Sequence, residues 1–262
     1  MTLIDPILLQ ARPAFPSGRF DVDVLEICDS SNSELMRRAE QGAPGGMVVV
    51  ADRQSAGRGR RGRTWLSAAE DSLTFSLLWR FAGSPTKLTG LSLAIGLAIT
   101  RGLEKLGAQG VCLKWPNDVL LRQGEHFAKL AGILIETSID RRGTQAIIGI
   151  GLNLKPPADD LPQPAAGLSQ VMPLPERHDL LATLLAALAE TLDAFAVDGF
   201  SGLKSDWQSR HAWQGQRVQM LDNGIQQLDG ICLGVDADGA LLLETSAGIE
   251  RVFSGDLSLR RL

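Results

Sequence analysis

Apolar residues between Ser30 and Gln41 recur at helical spacing; Ser31 and Glu34 stand as a capping box at the start and Gly42 supplies the stop. Met47 to Ala51 is a short, nearly unbroken apolar run that predicts a buried strand. From Asp52 to Trp65 the apolar content almost vanishes, and Gly57, Gly59 and Gly62 punctuate the stretch, so a long loop is expected. Ser72 to Trp79 is rich in strand formers, and Pro85 introduces a helix from about Leu88 to Leu106 that Gly107 ends. Two short strands, Val111 to Lys114 and Val119 to Leu121, flank the turn-forming Pro116-Asn117-Asp118. Gln123 to Ala128 reads as a polar connection. Lys129 to Ile139 and Gln145 to Leu154 then form an antiparallel pair joined near Gly143.

The proline-rich stretch 156–175 predicts an irregular excursion before a helix from Asp179 to Val197, in which Leu181, Leu184, Leu185, Leu188 and Leu192 mark a core face. A second helix is expected around Gly202 to Arg210. After Trp213 the period shortens to β segments, Arg217 to Leu221, Gln226 to Val235, Ala240 to Glu244 and Glu250 to Phe253, parted by turn residues such as Asn223-Gly224 and Asp238-Gly239. The pattern as a whole predicts an α+β fold: a mixed or antiparallel sheet flanked by helices over residues 1–212, and a small β-barrel over residues 213–262.

Composition narrows this reading. A chain of 262 residues with 44% hydrophobic and 21% charged content can bury one large core with a small appendage. Its net charge of −4 provides no global attraction to nucleic acid or an anionic membrane, so any such affinity must come from a local patch. Cys28, Cys112 and Cys232 are odd in number and lack the spacing of a disulfide framework or zinc site, which suits free thiols in a reducing cytoplasm. The N-terminal stretch has no signal-peptide pattern, and the apolar run Leu88 to Thr100 is too short to span a bilayer. No membrane partner is expected.

Three constellations carry chemistry. Gly57-Arg58-Gly59-Arg60-Arg61-Gly62-Arg63-Thr64-Trp65 matches the glycine spacing of a dinucleotide loop, but no apolar helix starts within it and no Lys-Ser/Thr ending follows. Two or three of its arginines are ordinary for a solvated surface. Five between Arg53 and Arg63 repel one another unless an anion is present, which favours a polyphosphate ligand. In Lys114-Trp115-Pro116-Asn117-Asp118 a cation, an amide and a carboxylate share one turn, a set able to neutralise a phosphate, orient it and hold Mg²⁺. An ordinary turn is the plainer reading of Pro-Asn-Asp alone. In Lys129-Leu130-Ala131-Gly132 a lysine opens a strand, and a glycine allows close backbone approach to a ligand.

In this order GRGRRGRTW, KWPNDV, KLAGILIE and GIGLN resemble the biotin-protein ligase family, from about Asp29 to the C-terminus. The resemblance implies a class II synthetase-like biotin/lipoate ligase catalytic domain and an SH3-like C-terminal barrel. It implies biotin-binding roles for Ser30, Ser31 and Asn32, where serine stands in place of the family's threonine, and for Gln54, Arg58, Gly59, Arg60, Lys129 and Gly132. ATP would meet Arg58, Arg61, Arg63, Trp65, Lys114, Asn117, Asn153 and Arg260, with Asp256 as an acidic companion from the tail. Lys114, Asp118, Lys129 and Arg60 would carry catalysis, with Asp118 on Mg²⁺.

The implied reaction makes biotinyl-adenylate from biotin and ATP and then passes biotin to a lysine of a biotin carboxyl carrier protein or similar domain. It requires no enzyme nucleophile, in keeping with the scattered positions of His126, His178 and His211. Family members often form homodimers through the sheet edge. The residues before Asp29 are too few for a winged helix-turn-helix, so no DNA partner is expected. A lipoate-type ligase would share fold and adenylation chemistry. A nucleic-acid-binding module would explain the arginine loop but not KWPND or KLAG, and the chain has no tyrosine to build a stacking platform.

Overall fold

The computed structural model describes residues 2–82, 84–140, 143–157, 163–222, 224–253 and 257–261. In chain order the elements are α1 (Pro6–Gln10), β1 (Asp21–Cys28), α2 (Ser31–Glu40), β2 (Met47–Gln54), β3 (Ser72–Phe81), α3 (Leu91–Lys105), β4 (Val111–Lys114), β5 (Asp118–Gln123), β6 (His126–Asp140) and β7 (Gly143–Asn153). They continue with α4 (Arg177–Asp198), α5 (Lys204–Ser209), β8 (Arg217–Asp222), β9 (Ile225–Val235), β10 (Leu241–Thr245), β11 (Gly248–Val252) and β12 (Leu257–Arg261). The first seven strands form one sheet in the order β1-β2-β3-β7-β6-β5-β4. Only β1 and β2, joined through α2, run parallel; the other ladders are antiparallel. This is the mixed sheet that the hydrophobic pattern predicts.

Side chains alternate across a strand, and here the two faces differ in kind. On one face Val48, Val50, Phe75, Leu77, Ile133, Ile148, Ile150 and Leu152 join the main core beneath α3 and α4. The opposite face is covered only in part. There α2 seats Leu35 and Ala39 against Val49, Leu78 and Ile147. Continuing along the same face, β3 presents Ser76, β6 presents Gly132 and Glu136, and β7 presents Gly149 and Gly151, so small and polar residues take over where the helix ends.

Strands β8 to β12 form a five-stranded antiparallel sheet in the order β11-β10-β9-β8-β12. Its apolar residues Val218, Met220, Cys232, Leu241, Leu243 and Leu259 belong to the same core as the large sheet. Helix α4 is long and apolar enough to cross a membrane, but Leu180, Leu181, Leu184, Leu185, Leu188 and Leu192 are fully buried in that core.

Several sequence expectations need correction. The N-cap of α2 is Ser30, and it makes no side-chain capping bond. Glu34 does not complete a capping box either, because Arg37 and Arg38 take both of its oxygens. The polar connection at Gln123 to Ala128 is a tight turn at Gly124 and Glu125; pairing of β5 and β6 resumes at Gln123 and His126. Polar side chains mislead there because the end of this hairpin runs past the end of β4, whose pairing with β5 stops at Leu121, and residues 122–126 are exposed. Strands β1 and β12 and helix α1 have no strong periodicity and were not anticipated. Asp5 caps α1 through its side chain.

Candidate active site

At the start of α2 a run of hydrogen bonds crosses the sheet face. The backbone N–H of Ser31 donates to Gln54 Oε1 at 2.7 Å, and the Ser31 hydroxyl lies 3.0 Å from the same oxygen and 2.7 Å from Ser76 Oγ. Ser76 donates to Asn32 Oδ1 at 2.6 Å. Asn32 Nδ2 in turn donates to Glu136 Oε2 at 2.9 Å and to the Leu134 carbonyl at 3.3 Å. Gly149 makes room for this run, since a Cβ there would stand 2.3 Å from Asn32 Oδ1. Ser30, Ser31, Asn32, Gln54, Gly132, Gly149 and Gly151 line a small cavity of about 50 Å³ over the run.

The arginine-rich segment closes over this cavity as a narrow hairpin. Trp65 N–H donates to the Gly57 carbonyl at 2.9 Å and Gly59 N–H to Arg63 at 2.7 Å, while Arg58 bridges Thr64. Arg61 sits at the tip in the left-handed region with φ 63°, flanked by Gly62. Two side chains anchor the hairpin to the sheet: Arg58 pairs with Glu136, and Arg60 Nη1 donates to Asn117 Oδ1 at 3.0 Å. The Trp65 indole lies flat on Gly151, where an added Cβ would meet Cε2 at 2.2 Å, and its Nε1 is buried with no hydrogen-bond partner. Lys129 Nζ stands 5.9 Å from the ring centre.

Beyond Trp65 the small cavity opens into a larger one of about 590 Å³. Its floor is the turn between β4 and β5 and its far wall comes from β12. Asp118 is buried between two ammonium groups, Lys129 at 2.5 Å and Lys114 at 3.2 Å. Burial alone would raise the Asp118 pKa, but Lys129 and Lys114 outweigh it and hold the carboxyl well below the usual range. Lys114 moves the other way. Burial, helped by Arg260 and Lys129, outweighs the opposing Asp118 carboxylate and leaves it lowered to about 8. Arg260, Arg63 and Arg61 approach the same space, and burial together with its arginine neighbours lowers Arg260 as well. So much positive charge in a partly buried cavity is unfavourable without an anionic ligand.

The comparisons with known proteins agree with this architecture. Residues 25–153 match the Biotin/lipoate A/B protein ligase family, and residues 215–260 match the Biotin protein ligase C terminal domain. The biotin--[acetyl-CoA-carboxylase] ligase of Mycobacterium tuberculosis is 33% identical, with 92% of this chain and 90% of that protein covered. The bifunctional ligase/repressor BirA of Salmonella typhimurium is 36% identical, over 92% of this chain and 74% of its own length. The chain belongs to the biotin protein ligase family. A biotin protein ligase from Aquifex aeolicus, solved in complex with biotin and ATP, superposes with a TM-score of 0.76 at 31% identity, covering 92% of this chain and 99% of that one.

Within this ligase fold the residues singled out in the sequence gather around two joined cavities. Ser30, Ser31, Asn32, Gln54, Arg58 and Gly132 line the small one; Arg61, Arg63, Lys114, Asp118, Asn153 and Arg260 line the large one; Gly59, Arg60, Trp65, Asn117 and Lys129 line both. Asp256 lies outside the described residues. Asn153 uses its amide to tie Lys129 and Ala166 together, with contacts of 3.3 Å and 3.1 Å to their carbonyls. The expectation for Mg²⁺ on Asp118 fits poorly, because a lysine ammonium engages each carboxylate oxygen. No group of three acidic, His or Cys side chains able to hold a metal occurs among the described residues. Sequence reading missed Ser76, Glu136 and Gly149. Glu136 and Gly149 fall within the KLAGILIE and GIGLN runs without being singled out there, and the alternation that sets Ser76, Gly132, Glu136, Gly149 and Gly151 on a single face is the signal common to all three.

Proposed function

We propose that this chain condenses the carboxylate of biotin with the α-phosphate of ATP, expels pyrophosphate, and then passes biotin from the adenylate to an acceptor lysine. The observation that carries the reading is the junction of the two cavities: a slot with neutral hydrogen-bonding groups at its closed end meets a cationic chamber at Arg60, Asn117 and Lys129. Biotin's ureido group would enter the slot toward Ser30, Ser31 and Gln54, where protein donors and acceptors replace water. The carboxylate would then reach the junction, with Lys129 and Arg60 beside both it and the α-phosphate. Arg61, Arg63, Lys114, Asn117, Asn153 and Arg260 would surround the nucleotide, with Trp65 between the two substrates; Arg58, expected from sequence at the ATP site, pairs with Glu136 beside the small cavity and would stay on the biotin side. Juxtaposition and charge neutralisation account for the chemistry without an enzyme nucleophile.

In this reading residues 1–212 form the catalytic unit and 213–262 a unit whose Arg260 closes the nucleotide chamber. Asp118 holds Lys114 and Lys129 in place rather than holding a metal, and Mg²⁺ is left to the phosphates of the nucleotide. The acceptor is a biotin carboxyl carrier domain, supported by the names of the Mycobacterium and Paracoccus denitrificans relatives, both biotin--[acetyl-CoA-carboxylase] ligases. The reading places the enzyme in the cytoplasm, with β1 or β4, the margins of the large sheet, as the surface for a homodimer.

The test is biotin-dependent exchange of labelled pyrophosphate into ATP, with lipoate and octanoate as controls. Exchange with biotin alone is expected. Exchange with lipoate instead would reassign the substrate, and no exchange with any of the three acids would overturn the adenylation reading.

A further inference from the structure

The tip of the arginine hairpin reaches the C-terminal sheet through the Arg61 side chain. Arg61 is the one non-glycine residue with positive φ among the described residues, at φ 63° and ψ 35°. An L side chain adopts that conformation at a cost, which the surrounding structure must offset. The side chain is only 16% exposed, and its Nε and Nη2 are fully enclosed with no hydrogen-bond partner. These two nitrogens share the side-on edge of the guanidinium, the edge that grips a carboxylate with two parallel hydrogen bonds. At the end of β8, Asp222 Oδ1 is likewise enclosed without a hydrogen-bond partner and stands 3.8 Å from Nη2. Among the described residues Asp222 is the one carboxylate within ion-pair distance of Arg61.

We infer that Asp222 is a positioning residue: it takes the side-on edge of Arg61, leaves Nη1 for the phosphates of the nucleotide, and so ties the hairpin tip to the C-terminal sheet. The inference rests on the adenylation reading given above. Asp222 lines neither cavity, whereas Arg61 lines the large one, so the carboxylate acts through the arginine. Its need follows from charge. Arg260 lies close enough to Arg61 for the two cations to disfavour each other, and a counter-charge behind Arg61 opposes its expulsion from the chamber. A gap of 3.8 Å gives attraction by charge without a hydrogen bond, so the contact is poised to tighten when an anion draws on the other end of the guanidinium. The same ladder sets both groups: the backbone of Asp222 pairs with Leu257 at the start of β12, the strand that carries Arg260. The C-terminal sheet thus delivers one arginine to the nucleotide directly and steadies a second through Asp222.

Pyrophosphate exchange gives the KM for ATP, and titration calorimetry without ATP gives biotin affinity, for the wild type, Asp222→Asn, Arg61→Ala and the double variant. Asparagine keeps the shape and removes the charge, which at this distance is the whole attraction. Asp222→Asn is expected to raise the KM for ATP about fivefold, to leave biotin affinity within twofold, and to add less than twofold in the Arg61→Ala background. Asp222→Ala is expected to act alike and carries the test if Asp222→Asn does not fold. A KM for ATP within twofold of wild type in the folded Asp222 variant overturns the inference and leaves the adenylation reading standing. An equal rise with and without the Arg61 side chain also overturns it, because the effect would then run through the sheet. So does a loss of biotin affinity as large as the rise in KM for ATP. A wild type without biotin-dependent exchange overturns the functional reading itself, and the inference with it.

Discussion

Lys114 and Lys129 share one carboxylate but stand in different surroundings, and that difference is testable by pH. Lys114 is the more buried of the two, with its ordinary value of 10.5 lowered to about 8, and the charged form is the one that attracts phosphate. kcat/KM for ATP, which reports the free enzyme, is therefore expected to be flat below pH 7 and to fall on an alkaline limb near pH 8. Lys114→Arg should remove that limb, since a guanidinium stays charged throughout the range. Lys129 lies at the junction of the cavities, 2.5 Å from Asp118. Lys129→Met is expected to lower kcat/KM for exchange by about 10²-fold or more. It should also disturb Asp118, whose carboxylate then keeps only Lys114. A variant with near-normal exchange would remove Lys129 from the chemistry.

Helix α2 carries Ser31 and Asn32 into the cavity, and its seat on the sheet is a small core of Leu35, Ala39, Val49, Leu78 and Ile147. Leu35 is fully buried there. Leu35→Ala is expected to cost about 2–5 kcal/mol in denaturant unfolding and to raise the KM for biotin more than that for ATP, because the damage lies under the small cavity alone. The arginine hairpin makes a different prediction. Phosphate oxygens would add charge-assisted bonds to those that Arg58 and Arg60 already make with Glu136 and Asn117, so biotin with ATP should protect Arg58, Arg60, Arg61 and Arg63 from trypsin, whereas either substrate alone should protect less. Unchanged cleavage with both substrates would mean that the hairpin is equally closed in the free protein.

The two sheets meet across a well-tied seam. Trp115 Nε1 donates to the Gly239 carbonyl at 3.1 Å, Lys114 stands 5.3 Å from the Trp213 ring centre, and the Arg61 guanidinium lies 3.8 Å from Asp222. His211 is buried in the same seam, stacked on Trp207 with ring centres 4.8 Å apart. Burial lowers its pKa from 6.5 to about 4. The unfolded chain therefore binds a proton that the folded one refuses, and stability falls as pH drops from 6.5 toward 4, by roughly 3 kcal/mol in all. Thermal unfolding followed from pH 7 to pH 4.5 should show a steeper loss for the wild type than for His211→Asn. Equal slopes would mean that other groups set the acid response.

Much of this molecule was legible from local pattern. Runs such as Met47 to Ala51 and the leucine face of α4 announced their elements because burial of one face imposes a period on the chain. The arginine loop, Lys114 to Asp118 and Lys129 to Gly132 announced chemistry because clustered charge and close-approach glycine are costly without a ligand. Strand β1 was not legible, since it lies at the sheet margin with little of the alternation that burial imposes. Nor was the partner of each charge. Asp118 reads in sequence as a metal ligand beside one lysine, and only the antiparallel pairing of β5 with β6 brings Lys129 to its other oxygen. Ser76, Glu136 and Gly149 come from three separate strands; Glu136 ends the KLAGILIE run and Gly149 opens GIGLN, but nothing local says that they face one another. Sequence determined which residues were chemically unusual. Tertiary structure decided which of them touch, because strand register, a long-range property, sets those distances.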